Sequence, residues 1–157
     1  MSTAKRTTAG TLFDSACRGS ILERLAGLEP SAARQWGKMN AAQMLAHCSA
    51  ALEVGTGDRP RKQALIGRLL GRFVRASLLG EKPFGKDSPT DPTFVMTGEK
   101  DFAAERLRLA ALVGRFGELG PGHAGAQTHS FLGRLSGEEW GVLMHKHLDH
   151  HLRQFGA

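Results

Sequence analysis

Four of the seven histidines of this chain fall in one heptapeptide, "HKHLDHH", from His145 to His151. Imidazole is the side chain that binds metals and titrates near neutral pH, so the segment suggests a metal site, a pH-responsive surface or a purification tag. A tag does not fit, because the histidines are not contiguous and alternate with Leu148, Leu152 and, further on, Phe155. On a helix each residue turns by about 100°. Trp140, Met144, His147, His151 and Phe155 then share one face, with Leu148 at its edge. Lys146, Asp149 and Arg153 lie opposite and read as solvent residues. His145 points elsewhere, and His150 falls near the boundary beside Leu143. Two imidazoles at i and i+4 thus enter an apolar stripe, where each must find a partner. The spacing lets them chelate one cation, or sit as a hydrogen-bonded core pair; spacing alone leaves both open.

A chelate needs a third ligand from another element. "MNAAQMLAHCSAALE" supplies His47, which lies with Met44 and Ala51 along the margin of a stripe marked by Leu45, Cys48 and Leu52. The alternative is a single histidine bonded to a neighbouring helix. His123 and His129 lie in Gly-rich or polar sequence and are weaker candidates. Cys48 turns onto the apolar stripe and reads as a small buried residue. Cys17 could approach the site, though packing is the simpler role. Asp14 and Arg18, one turn apart, are placed for a surface ion pair.

Positioning these groups requires helices. Thr11 to Leu28 has amphipathic spacing, and "EPSAARQWGK" interrupts it. Asn40 with Gln43, and Ser136 with Glu139, match capping boxes that open two further helices, one running to Val54 and one starting near Gly137. Asp101 to Phe116 reads as another helix, followed by irregular sequence through "GELGPGHAGAQTHSFLGRL". Arg61 to Leu79 reads as a basic helical segment inserted between the second and third long helices. Its face of Leu65, Ile66, Leu69, Leu70, Phe73 and Val74 is expected to gain its stability by packing, since Gly67 and Gly71 weaken it as an isolated helix. No alternating apolar pattern of useful length appears, so no sheet is expected. The expected class is all-α, an antiparallel helical bundle forming one domain over residues 11–157, after a flexible arm at 1–10.

With 157 residues, the chain is long enough to bury a core without disulfides or a structural metal. Two cysteines and no apolar leader read as a reduced, cytoplasmic protein. No run reaches the length of a membrane span. The net charge of +6 permits anionic partners without requiring them. Arg59, Arg61, Lys62, Arg68, Arg72 and Arg75 read better as a solvated basic face than as a binding surface. Nucleic acid and membrane are therefore not expected as partners.

His47 together with His147 and His151 resembles the one-plus-two histidine pattern of the DinB/YfiT-like four-helix bundles. "HHLRQ" resembles that superfamily's H-R-G-Q ending, with His151 and Gln154 in register and Leu152 and Arg153 in place of Arg-Gly. "WGKMNAAQMLAHC" and "HSFLGRLSGEEWGVLMHKHLDHHLRQFG" are similar to one subfamily of it, a domain of unknown function. The resemblance spans roughly Thr11 to Gly156. It implies an up-up-down-down bundle with a divalent metal, zinc or nickel, on the three histidines, and positions left open to water or substrate. It also implies homodimers, and activities ranging from hydrolysis to transfer or isomerisation with a low-molecular-weight thiol.

Three neutral imidazoles leave a cation's charge uncompensated, which suits activation of a water or of a thiol equally well. Each ligand ring must pass its other nitrogen to an acceptor. Gln154, turned partly inward, is the candidate for that role and for contact with a cofactor; the alternative is a plain surface residue at the bundle's end. No catalytic residue, P-loop, Rossmann fingerprint or Ser/His/Asp set is legible. The expected function is a metal-dependent hydrolase or thiol transferase/isomerase. The alternative is a non-catalytic module binding a metal or small ligand, and behind it a binder of anionic polymers or membrane surfaces.

Overall fold

The computed structural model describes residues 9–157. The expected flexible arm therefore lies, over residues 1–8, outside the described residues. Helix α1 spans Ser15–Ala26, α2 Ala41–Thr56, α3 Leu65–Leu79, α4 Phe102–Gly125 and α5 Gly137–Gln154. The chain is mostly helical, and α1, α2, α4 and α5 pack on one another around a shared core. Trp140, Phe116, Leu45, Leu52 and Val113 are fully buried there.

Both capping boxes form. Asn40 and Gln43 exchange side chain-to-backbone hydrogen bonds at the start of α2, and Ser136 and Glu139 do so at the start of α5. Each box satisfies two N–H groups that a helix start leaves without partners. Helix α1 starts later than its periodicity suggests, because Asp14 accepts from the Cys17 N–H and acts as the N-cap. The expected Asp14–Arg18 ion pair does not form. Arg18 instead donates to the Leu12 carbonyl at 2.7 Å, holding the incoming chain, which also pairs with α5 through Leu12 N–H to Gly141 O.

Three further expectations are corrected. Helix α4 does not end at Phe116. It resumes across Gly120, whose φ of 80° breaks the helical path, and His123 then reaches back to the Thr56 carbonyl at the end of α2. The sequence expected to hold no sheet contains a two-residue antiparallel pair, Thr128–His129 (β1) with Gly133–Arg134 (β2). That is too short to show alternation. Lys146, read as a solvent residue, is buried. Its Nζ donates to the carbonyls of Ser77, Leu78 and Gly80 at 3.3, 2.8 and 2.6 Å. A cation suits the carbonyl end of a helix, and this one ties the end of α3 to α5.

Helix α3 carries the largest correction. It begins at Leu65, and its apolar face is turned outward. Leu65 is 80% exposed, Leu69 69% and Phe73 66%. The buried residues are Gly67 and Gly71. A Cβ on Gly67 would lie 2.3 Å from the Phe131 carbonyl oxygen, so only glycine allows this approach. The helix docks by its bare backbone at Gly67 and Gly71 and by Val74, Leu78 and Leu79 toward its C-terminal end, while the larger part of its apolar face stays outside.

Candidate metal centre

Helices α2 and α5 meet with His47, His147 and His151 on facing sides. One ligand nitrogen from each lies within 4.8 Å of the others. His47 and His151 are buried. His147 is partly open to a cavity of about 770 Å³ that all three rings line.

The nitrogens facing away from the cluster have partners on two of the three rings. His47 Nδ1–H donates to the Phe94 carbonyl at 2.8 Å. That carbonyl is presented by a one-turn 3-10 helix, Pro92–Phe94, capped by Asp91. His151 Nδ1–H donates to Gln154 Oε1 at 2.8 Å, and Gln154 Nε2 donates to the Trp36 carbonyl at 2.8 Å. The second bond fixes which end of the amide faces the ring. Gly37 is needed beside it: its φ is +80°, and a Cβ there would lie 2.5 Å from Gln154 Nε2. Both His47 and His151 are thereby held as tautomers with Nε2 free of a proton and directed at the cluster. His147 Nδ1 has no hydrogen-bond partner among the described residues.

His47 Nε2 and His147 Nε2 are 3.0 Å apart. Tetrahedral coordination at roughly 2.0–2.1 Å spaces ligand nitrogens about 3.3 Å apart, so a few tenths of an ångström separate this pair from that arrangement. Burial holds all three rings below the usual imidazole pKa, with His151 pushed down to about 3. Mutual repulsion among the three rings adds to the effect on His147 and His151. Neutral imidazole is the form that ligates, so these residues fit a divalent cation without first losing protons.

His145 and His123 lie apart from the cluster. His145 packs beside Gly10, and His123 bonds the Thr56 carbonyl. His150 is buried and lines the cavity, with its ring 5.0 Å from His151, 5.4 Å from Trp36 and 5.8 Å from Phe84. The helical wheel put it at a boundary because it could not show the loop residues that cover it. His129, read as a weak candidate, also lines the cavity. Its Nδ1 accepts the Phe131 and Leu132 N–H groups at 3.1 and 3.0 Å, and burial lowers its pKa to about 4. No periodic signal could have found it, since it ends β1, a strand of only two residues.

Neither cysteine lines the cavity. Cys48 is fully buried against Met44, and burial pushes its thiol pKa far up. Cys17 is on α1. Glu53 and Asp149, polar residues near the ligands in sequence, are engaged elsewhere. Glu53 pairs with Arg59 and Arg108, and Asp149 with Arg24 and Arg153.

The helical architecture and this cluster define a class: a helical protein with a three-histidine candidate metal centre lining a cavity. A family model described as a protein of unknown function (DUF1569) matches residues 15–157, and the chain belongs to that family. Comparison with curated proteins and with solved structures gives no match.

Proposed function

We propose that His47, His147 and His151 hold a divalent cation, zinc or nickel, and that the protein is a metal-dependent enzyme acting on a small molecule bound in the cavity above them. The carrying observation is the convergence of three neutral imidazoles from two helices, two of them oriented by fixed hydrogen bonds, on one point at a cavity wall. A cation held there supplies Lewis-acid activation of a water or of a thiol. Imidazole-only ligation accommodates zinc and nickel alike.

The roles of the chain's own residues follow from their contacts. The Phe94 carbonyl and Gln154 orient two rings and raise their basicity. Trp36, Phe84, Phe94 and Phe131 give the cavity apolar walls that limit water. His150, His129, Lys38, Asp87 and Asp91 are the titratable groups that line it besides the ligands. Because neither cysteine reaches the cavity, a thiol reaction requires an exogenous low-molecular-weight thiol. We read the packing of α1, α2, α4 and α5 as a DinB/YfiT-like four-helix bundle forming one domain, with α3 inserted, and the assembly as a homodimer.

The test is a paired screen of metal-stripped and zinc- or nickel-reloaded protein for ester hydrolysis and for conjugation of small thiols. Turnover that returns with the metal and is lost in His151→Ala supports the reading. Stoichiometric metal without turnover in either screen would replace it with a non-catalytic metal-binding module.

A further inference from the structure

Helix α3 presents five large apolar side chains to solvent: Leu65, Ile66, Leu69, Leu70 and Phe73. They lie in one continuous sector of the helix. Scattered single exposures are ordinary, whereas a contiguous apolar stripe marks an interaction site. The helix does not depend on a partner for its position. Gly67 and Gly71 seat it on Phe131, Arg75 pairs with Glu139, and Lys146 holds its last carbonyls. The stripe is therefore displayed by a helix already anchored from behind.

Charge identifies the occupant. From Arg59 to Gly80 the chain carries six basic residues and no acidic one. Arg59, Arg61 and Arg75 are used within the fold, on Glu53, Thr93 and Glu139 respectively. Lys62, Arg68 and Arg72 remain exposed. Arg68 and Arg72 flank the apolar sector on one side, and the Arg72 guanidinium lies 4.6 Å over the Phe73 ring, where charge meets apolar surface. A second copy docked antiparallel by a two-fold axis would bring Arg68 and Arg72 against their own images, with no carboxylate on α3 to relieve the repulsion. An apolar stripe edged by cations complements an interface that is greasy inside and anionic at its rim.

We propose that α3 docks this protein onto anionic lipid surfaces, lying in the plane of the interface with Leu65, Ile66, Leu69, Leu70 and Phe73 in the acyl boundary and Lys62, Arg68 and Arg72 at the headgroups. Taken alone, the basic residues of this segment read as a solvated face; the exposed apolar stripe beside them is what adds a membrane surface as a partner. No helix among the described residues is long and apolar enough to cross a membrane, and surface docking needs none.

The experiment is co-sedimentation of the full chain with vesicles of phosphatidylcholine alone and of phosphatidylcholine with phosphatidylglycerol, at low and high salt. Binding is expected to the anionic vesicles and to weaken with salt. Arg68→Glu with Arg72→Glu should reduce affinity by about tenfold or more, and Leu69→Ser with Phe73→Ser should abolish binding. These side chains are exposed, so far-UV circular dichroism should not change. Leu107→Ser, at an exposed apolar position on α4, should bind as the parent does. Failure to bind either vesicle, or equal binding to both compositions, overturns the proposal. So does a solution dimer that Leu69→Ser with Phe73→Ser dissociates, which would assign the stripe to a second copy.

Discussion

Helices α2 and α3 are both rich in apolar residues, yet the protein uses them in opposite ways. Nearly every residue of α2 is buried, including His47 and Ser49. Helix α3 buries two glycines and displays Leu65, Leu69 and Leu70. The difference lies in what each helix has to pack against. Helix α2 has neighbours in α4 and α5. Helix α3 reaches α5 and the β2 strand by its glycine side, by Arg75 and by its last turn. An apolar stripe therefore guarantees that a helix has an interface to make, but not that the interface is internal.

Truncation tests the contrast most strongly. Leu52 on α2 is fully buried, and Leu52→Ala should cost about 2–5 kcal/mol through lost burial and the resulting cavity. Leu69→Ala on α3 removes a side chain that is 69% exposed, and should fall within about 0.5 kcal/mol of the parent. Chemical denaturation of both variants reads the difference directly. Equal losses would mean that α3 packs its stripe within the monomer.

A smaller effect is expected from Gly67→Ala. The new methyl group meets the Phe131 carbonyl, so the helix must shift, at a cost of about 1–3 kcal/mol of overpacking. Faster hydrogen exchange confined to α3 and the Phe131 turn would show that the glycine seat positions this helix. Exchange unchanged from the parent would show that Lys146 and the Arg75–Glu139 pair suffice.

A graded effect should separate the histidine cluster from α3, which has no histidine. Burial holds the pKa values of His47, His129, His147 and His151 below the unfolded value of 6.5. Between the two values the unfolded chain binds more protons than the folded one, so stability rises with pH. Metal-stripped protein should be at full stability above pH 6.5. It should weaken as pH falls from there toward about 4 for His129 and about 3 for His151. Denaturation midpoints across that window measure it, and a flat profile would show that the rings are not buried in their neutral form.

Much of the candidate site was legible because it obeys helical period. His147 and His151 are one turn apart on α5, and His47 needs only the register set by the Asn40–Gln43 cap. Gln154 follows by the same logic. Lys146 was not legible, because the carbonyls that draw it inward belong to residues 77–80, far off in sequence. His150 and His129 were missed as cavity residues for a related reason. The walls around them include Trp36, Phe84 and the turn after β1, whose placement has no periodic signature. For α3, amphipathicity was read correctly and its direction wrongly, because two glycines offered a closer seat than the large side chains did.

The central claim is that the three imidazoles grip one cation. Elemental analysis of the protein as purified, beside His47→Ala, His147→Ala, His151→Ala and His145→Ala, tests it directly. About one divalent ion per chain is expected in the parent and in His145→Ala, with loss in the other three. Equal metal content in all five proteins would contradict the account.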